Sequence, residues 1–288
     1  MELSEPAWAK VNLGLKVLGA RPDGYHNICS IFQTVDLADV LRFRQGSANR
    51  VACSDPSLPT DDTNLALRAL RLFQEEVGDE DGVEIDLEKK IPVGAGLGGG
   101  SADAAAVLRA MNRCRRERLS YSALRRLARR LGSDVPFLIK GGCALVRGRG
   151  EEISPISATG NVTFVVTYPG VQVSSAWAYS ALPTSLTADT PYLNFVASLS
   201  GGCVDLMELC SILENDFQPM VERAYPIVAD LSKTLSSTGA RFLSMSGSGS
   251  CLFGVFEDRT AASSAVGQLQ AHGFRSFLCK PVGLSSLS

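Results

Sequence analysis

The 288-residue chain predicts a mixed fold, α+β or α/β, from three observations. Val11, Leu13, Leu15 and Val17, and later Val83, Ile85 and Leu87, alternate with polar residues at the two-residue period of a strand. Ala104, Val107, Leu108 and Met111 recur instead at the spacing of one helix face. Segments of both kinds are interleaved along the chain, with no internal repeat and no low-complexity tract. The length is enough for two modest domains, each with its own core. A net charge of −2 gives no field that favours nucleic acid or a membrane surface, and no apolar run reaches membrane-spanning length. Met1-Glu2-Leu3-Ser4-Glu5 is acidic and lacks signal-peptide or transit-peptide character. The eight cysteines form no C-x-x-C pair and only two histidines exist. Free thiols in a reducing cytoplasm are expected, and no structural metal site.

The elements follow in order. Ala9 to Leu18 reads as a strand with Val11, Leu13, Leu15 and Val17 inward, which turns Lys10 and Asn12 together away from the core. Arg21-Pro22-Asp23-Gly24 has proline and glycine where a type I turn takes them, with Tyr25 and His26 just beyond. Asp62 or Thr63 caps a helix through Ala66, Ala69, Leu70, Phe73 and Val77, closed by Gly78. A strand at Val83–Leu87 then leads to the densest signal in the chain, Pro92-Val93-Gly94-Ala95-Gly96-Leu97-Gly98-Gly99-Gly100-Ser101.

Five glycines in seven positions let a loop turn successive backbone N–H groups inward. The helix behind it, with Ser101 as its N-cap, adds unpaired donors and the positive end of a dipole. Strand, loop and helix in this order make an anion cradle suited to phosphate. It is not a Walker A loop, because no Gly-Lys-Ser/Thr follows the glycines. Gly94-x-Gly96-x-x-Gly99 matches a dinucleotide fingerprint, but Glu117, at the spacing of the ribose-binding acid, lies in an arginine-rich stretch rather than on a parallel strand.

Nine arginines and one acid lie between Arg109 and Arg130. Ser120 caps a helix there, Leu124, Leu127, Ala128 and Leu131 form its buried stripe, and Gly132 ends it. The arginines read as a solvated face, without the aromatic platform a nucleic-acid surface would need. Pro136 biases Val135 toward extended backbone, which puts Asp134 on a non-helical connection. Strands at Gly142–Val146 and Val162–Tyr168 flank Pro155–Gly160, the best linker candidate. Helices at about Leu206–Leu213, Pro226–Thr238 and Thr260–His272 follow, with His272 a helix-end cap. Between the last two, Ser246-Gly247-Ser248-Gly249-Ser250 runs into the strand Cys251–Phe256.

Three of these motifs, in order, resemble those of the GHMP small-molecule kinases: Ala9-Lys10-Val11-Asn12-Leu13, Pro92 through Ala102, and Ser246 through Ser250. Arg21 to His26, Phe32-Gln33, Asp36, Gly132 to Phe137 and Leu213 to Asp216 resemble one branch of them, the 4-diphosphocytidyl-2-C-methyl-D-erythritol kinases. The resemblance spans nearly the whole chain. It implies an α+β fold of two domains, 1–155 related to ribosomal protein S5 and 156–288 ferredoxin-like, with the active site in the cleft between. The implied reaction is ATP-dependent phosphorylation of an alcohol on a cytidine-diphosphate-linked tetritol, in non-mevalonate isoprenoid biosynthesis. Other GHMP kinases acting on a sugar, homoserine or a mevalonate-type alcohol form the alternative.

By the same resemblance, Asp134 is the general base and Lys10 the catalytic lysine, with Asn12 binding substrate. His26 reads the cytosine edge, and Tyr25 and Tyr179 stack on the base, Trp177 being a neighbouring candidate. Asn64, Lys90 and the loop Pro92, Val93, Gly94, Ala95, Gly96, Leu97, Gly98, Gly99, Gly100, Ser101 and Ala102 bind ATP, accompanied by Mg²⁺ held largely by phosphates and water. Two departures stand out. Ala102 replaces the usual second serine, and Trp8 stands where the family often has proline, the nearest being Pro6. A monomer or weak homodimer acting on a small molecule, without nucleic acid or membrane, is expected.

Overall fold

The computed structural model describes residues 2–182 and 203–283. Two long strands, β1 (Glu2–Ala20) and β2 (His26–Gln45), are joined by the expected turn, in which the Gly24 N–H donates to the Arg21 carbonyl at 3.1 Å. The chain forms two compact units that interleave in sequence, and each long strand passes from one into the other.

The first unit contains the chain up to Ala9, Leu37–Pro92 and Gly98–Lys140. Val40–Gln45 of β2 pairs antiparallel with β4 (Val83–Glu88), and β4 pairs in parallel with β3 (Arg50–Cys53). Four helices complete it: α1 (Leu65–Val77), α2 (Gly99–Cys114), α3 (Tyr121–Leu131) and α4 (Val135–Leu138). α2 packs against α1, α3 and α4, so Ala102, Ala104–Leu108, Ala110 and Met111 are all buried. The expected one-sided stripe is instead a core helix, and its alanines allow the close approach of its neighbours.

Several local expectations are corrected. α1 is capped by Asn64, whose Oδ1 accepts from the Ala66 N–H at 2.9 Å, rather than by Asp62 or Thr63. α2 starts at Gly99 behind Gly98, in left-handed backbone at φ +71°, which places Ser101 within the first turn and not at the cap. Val135 is helical rather than extended and begins α4, with Asp134 just outside it at the N-cap position as expected, because Pro136 occupies a first-turn position where no N–H is needed. The helix expected after Ser120 is observed, with Leu124, Leu127, Ala128 and Leu131 buried.

The arginine cluster is not simply a solvated face. Arg109 is largely buried, donating to Glu5 at 2.9 Å, to the Leu138 carbonyl at 2.7 Å and to the Pro6 carbonyl at 2.9 Å. Arg113 also pairs with Glu5, Arg115 with Asp79 and Asp81, and Arg126 with Glu76. Acids distant in sequence thus offset part of the patch's charge.

The second unit contains Lys10–Asp36, Val93–Leu97 and the described residues from Gly141 onward. Ile28–Gln33 of β2 pairs with β5 (Cys143–Gly148), β5 with β6 (Glu152–Thr159), and β6 in parallel with β8 (Cys203–Asp205). The proposed linker is therefore strand: Ile156 and Pro155 of β6 stand opposite Cys143 and Ala144. The rest of the unit contains β7 (Thr163–Tyr168), α5 (Ser175–Ser180), α6 (Leu206–Ile212), α7 (Gln218–Ala224), α8 (Pro226–Ser237), β9 (Phe242–Met245), β10 (Leu252–Phe256), α9 (Arg259–Ala271) and β11 (Arg275–Cys279).

β7, α8, β9, β10, α9 and β11 follow a βαββαβ order, and their antiparallel sheet runs β11-β7-β10-β9. That is the ferredoxin-like arrangement. Leu15, Ile28, Phe217, Val221, Leu231, Leu252, Phe256 and Leu269 form its core. His272 closes α9 as expected, its Nδ1 lying 2.9 Å from the Gln268 carbonyl. All eight cysteines are unpaired, and Cys203 is the exposed one. Burial pushes the Cys29 thiol up to about 11, Cys143 and Cys210 up to about 12, and Cys251 and Cys279 higher still.

Candidate active site

The glycine loop falls partly in each unit. In the second unit, Val93–Leu97 is bound to β1 and to the segment 246–250. The Lys10 N–H donates to the Leu97 carbonyl at 3.0 Å and the Cys251 N–H to the Ala95 carbonyl at 3.1 Å. Ser246 Oγ donates to the Gly96 carbonyl at 2.9 Å and accepts from the Asn12 N–H at 3.2 Å. Gly96 has φ +80°, and a Cβ there would stand 1.9 Å from the Ser246 carbonyl oxygen. Only glycine fits so close an approach of two backbones.

Lys10 and Asn12 do share a face, but it is buried: they are 3% and 1% exposed. The expected solvent-facing side of β1 is covered. The Lys10 ammonium donates to Asn12 Oδ1 at 2.6 Å and lies 4.7 Å from the centre of the Phe32 ring. Asn12 Nδ2 donates to Ser30 Oγ at 2.9 Å. Burying an ammonium is costly unless it is held by partners, so this lysine is placed for charge rather than for solubility.

Asn215 supports the third motif from behind. Its Nδ2 donates to the Met245 and Gly247 carbonyls at 2.6 and 2.9 Å, and its Oδ1 accepts from the Phe217 N–H. Ser248 Oγ meets Ser175 Oγ at 2.8 Å, and Ser250 Oγ donates to the Val171 carbonyl. These supports were not assigned from sequence. The Leu213–Asp216 run carries a family resemblance, but a side chain bonding backbone thirty residues away has no local signature.

The aromatic residues sort themselves. His26 stacks on Tyr179 with ring centres 5.0 Å apart and planes at 26°, and Tyr179 meets Phe217 edge-on at 4.9 Å. Tyr25 is 51% exposed, with the Arg149 guanidinium 4.1 Å over one ring face. Trp177 packs edge-on against Tyr225 and against the core, so Tyr179, not Trp177, is the aromatic beside His26.

In the first unit, Gly98–Ser101 forms the turn into α2. The Ser101 hydroxyl lies 3.9 Å from where a Cβ on Gly132 would stand, two residues before the half-buried Asp134. Asn64 is buried, its amide divided between the α1 cap and a 2.7 Å bond to the Pro59 carbonyl. Lys90 is half exposed and pairs with Glu88 at 3.2 Å.

One cluster here was missed by sequence. The Lys89 ammonium bonds Asp39 and, at 2.7 Å, Asp103, and all three side chains are at most 5% exposed. Asp39 Oδ1 accepts the N–H groups of Lys90 and Ile91 at the loop entrance. Burial works to lower the Lys89 pKa, but the Asp103 and Asp39 carboxylates outweigh it and hold the lysine above its ordinary value. Burial pushes Asp103 the other way for an acid, up to about 7. The available signal was a lone Asp among alanines on a buried helix.

Known proteins bear on this arrangement. Residues 64–142 match the family of GHMP kinases N terminal domain and residues 198–274 that of GHMP kinases C terminal. A 4-diphosphocytidyl-2-C-methyl-D-erythritol kinase from Gloeobacter violaceus is 41% identical, covering 95% of this chain and 92% of its own. One from Chlorobium limicola is 38% identical, covering 98% of both. A crystal structure of 4-(cytidine 5'-diphospho)-2C-methyl-D-erythritol kinase superposes with a TM-score of 0.81 at 36% identity, over 98% of this chain and 100% of that one. The homoserine kinase of Cytophaga hutchinsonii shares the fold alone, with a TM-score of 0.75 at 23% identity over 98% and 97% of the two chains. The chain belongs to the 4-diphosphocytidyl-2-C-methyl-D-erythritol kinases of the GHMP kinase superfamily.

Proposed function

We propose that this protein transfers the γ-phosphoryl group of ATP to the 2-hydroxyl of 4-diphosphocytidyl-2-C-methyl-D-erythritol, giving the 2-phosphate and ADP in non-mevalonate isoprenoid biosynthesis. The observation that carries the reading is a buried ammonium, Lys10, on a strand whose backbone bonds the glycine loop at Leu97. A fixed positive charge beside a phosphate-binding loop is what phosphoryl transfer requires, since catalysis there is mostly positioning and charge stabilisation.

In this scheme the loop 92–102 binds the nucleotide phosphates with backbone N–H groups, and Asn64 and Lys90 flank the adenosine. Asp134 accepts the proton of the acceptor hydroxyl as its oxygen bonds to the γ-phosphorus and the bridging oxygen leaves on ADP. Lys10 stabilises the charge of the transferring group, and Asn12 holds the acceptor. Mg²⁺ would arrive with ATP and be held largely by phosphates and water. His26, Tyr25 and Tyr179 recognise cytosine, and the His26–Tyr179 stack favours this substrate over a sugar, homoserine or mevalonate-type alcohol. The division of labour is a nucleotide-binding part, 1–155, and a second part, 156–288. Among the described residues no helix is long and apolar enough to cross a membrane. The proposed setting is the cytosol, as a monomer or weak homodimer.

The test is incubation with ATP, Mg²⁺ and the cytidylyl tetritol, followed by phosphorus NMR. A new phosphomonoester resonance with stoichiometric ADP is expected. Turnover of homoserine or mevalonate, and none of the cytidylyl substrate, would reject the assignment.

A further inference from the structure

Lys89 and Asp103 stand at the two ends of the glycine loop and are bonded to each other at 2.7 Å, so one buried ion pair closes the loop at its base. The Lys89 ammonium lies directly under the start of α2, 3.4 Å from where a Cβ on Gly99 would stand. Two carboxylates share this one cation. With both ionised, the cluster leaves a net negative charge buried behind a loop built for anions. Asp103 Oδ2 is bonded to Lys89, but Asp103 Oδ1 is buried with no hydrogen-bond partner. A buried carboxylate oxygen without a donor is costly, and a proton on it removes both the charge and part of that cost.

We propose that this cluster takes up one proton, on Asp103, when a polyphosphate occupies the loop. The inference rests on the loop being the nucleotide site, as proposed above. Negative charge arriving at the α2 N-terminus disfavours the carboxylate form of Asp103 and favours its neutral acid. The titratable groups facing Asp103 are Lys89 after β4, Asp39 on β2 and the partly buried Cys53 thiol at the end of β3, which burial holds above its ordinary range. α4 contains no titratable residue, and α1 and α3 bury apolar side chains together with Gln74. Burial has already pushed Asp103 up to about 7, so occupancy needs to move it only modestly to bind a proton at neutral pH. By linkage, ATP affinity falls as pH rises through that window, by up to about tenfold per pH unit.

Calorimetric titration of the full chain with ATP tests this in several buffers of different ionisation heat. At about pH 8 a terminal phosphate, with a pKa of roughly 6, is already ionised and contributes little. Net uptake of about half a proton or more is expected, and Asp103→Asn, checked for folding by circular dichroism, should bind ATP with none. The wild-type dissociation constant measured across pH 7–9 gives the same answer without a variant. Uptake that persists in Asp103→Asn, or an affinity flat with pH, overturns the proposal. Gly98→Val separates the two readings. If it abolishes ATP binding while wild type takes up no proton, the linkage alone fails. If it leaves ATP binding unchanged, the loop assignment falls and the linkage with it.

Discussion

Replacing Gly96 by alanine attacks the point where the glycine loop meets the 246–250 segment. Two costs follow from the geometry. At φ +80° an L-residue is strained by about 1–2 kcal/mol. The new Cβ would also stand 1.9 Å from the Ser246 carbonyl oxygen, so the two backbones must part by roughly an ångström or more. That movement breaks the bonds from Ser246 Oγ to the Gly96 carbonyl and from the Asn12 N–H to Ser246 Oγ, each worth about 0.5–1.5 kcal/mol. A total loss of about 2–5 kcal/mol is expected, with turnover falling as the loop is displaced. Urea unfolding measures it, with Gly239→Ala as the control. Gly239 has φ +86° but no atom within 4 Å of where its Cβ would stand, so its substitution carries only the conformational cost of about 1–2 kcal/mol. Equal losses in the two variants, or a Gly96→Ala protein within about 0.5 kcal/mol of wild type, would refute the close-approach argument.

Asp134→Asn should lower kcat by about 10²–10⁴-fold in steady-state assays while leaving ATP affinity unchanged; an unaltered kcat removes it as the base. His26→Ala should raise KM for the cytidylyl substrate and spare KM for ATP, and a KM that does not move would deny it a role at the base. Glu5→Ala leaves the largely buried Arg109 guanidinium without its carboxylate and should cost about 3–5 kcal/mol in denaturant unfolding, where a loss below about 1 kcal/mol would mark the pair as superficial. Asp103 lies above its unfolded value of 3.8, so between about pH 4 and pH 7 the native state holds a proton that the unfolded chain has released. Stability should fall as pH rises through that window. Asp103→Asn should reduce the slope by up to about 1.4 kcal/mol per pH unit, and an unchanged slope would place the shift elsewhere.

Periodic elements and punctuated turns were legible, because their causes are local. The Ser120-capped helix, the Arg21–Gly24 turn and the end of α9 at His272 depend on residues within a few positions of one another. Features set by distant partners were not. Alternation in β1 marked one face as apolar but gave no sign that the other, with Lys10 and Asn12, is covered as well. Pro155 begins the expected linker, yet pairing with β5 keeps it in a strand. Asp39 reaches Lys89 across fifty positions, so no local pattern links them. At the candidate site, motif resemblance singled out the lysine, the loop and the aromatics as expectations. The supports behind them, Ser30, Ser246 and Asn215, required coordinates.

Eight unpaired sulfurs, most of them sequestered, make this enzyme a ready-made recorder of its own opening. Alkylating reagents should mark Cys203 on contact, while Cys251 and Cys279 become reactive only when the sheet around them opens. Timed labelling followed by mass spectrometry would then rank regional opening free energies along the native chain, with no engineered probe.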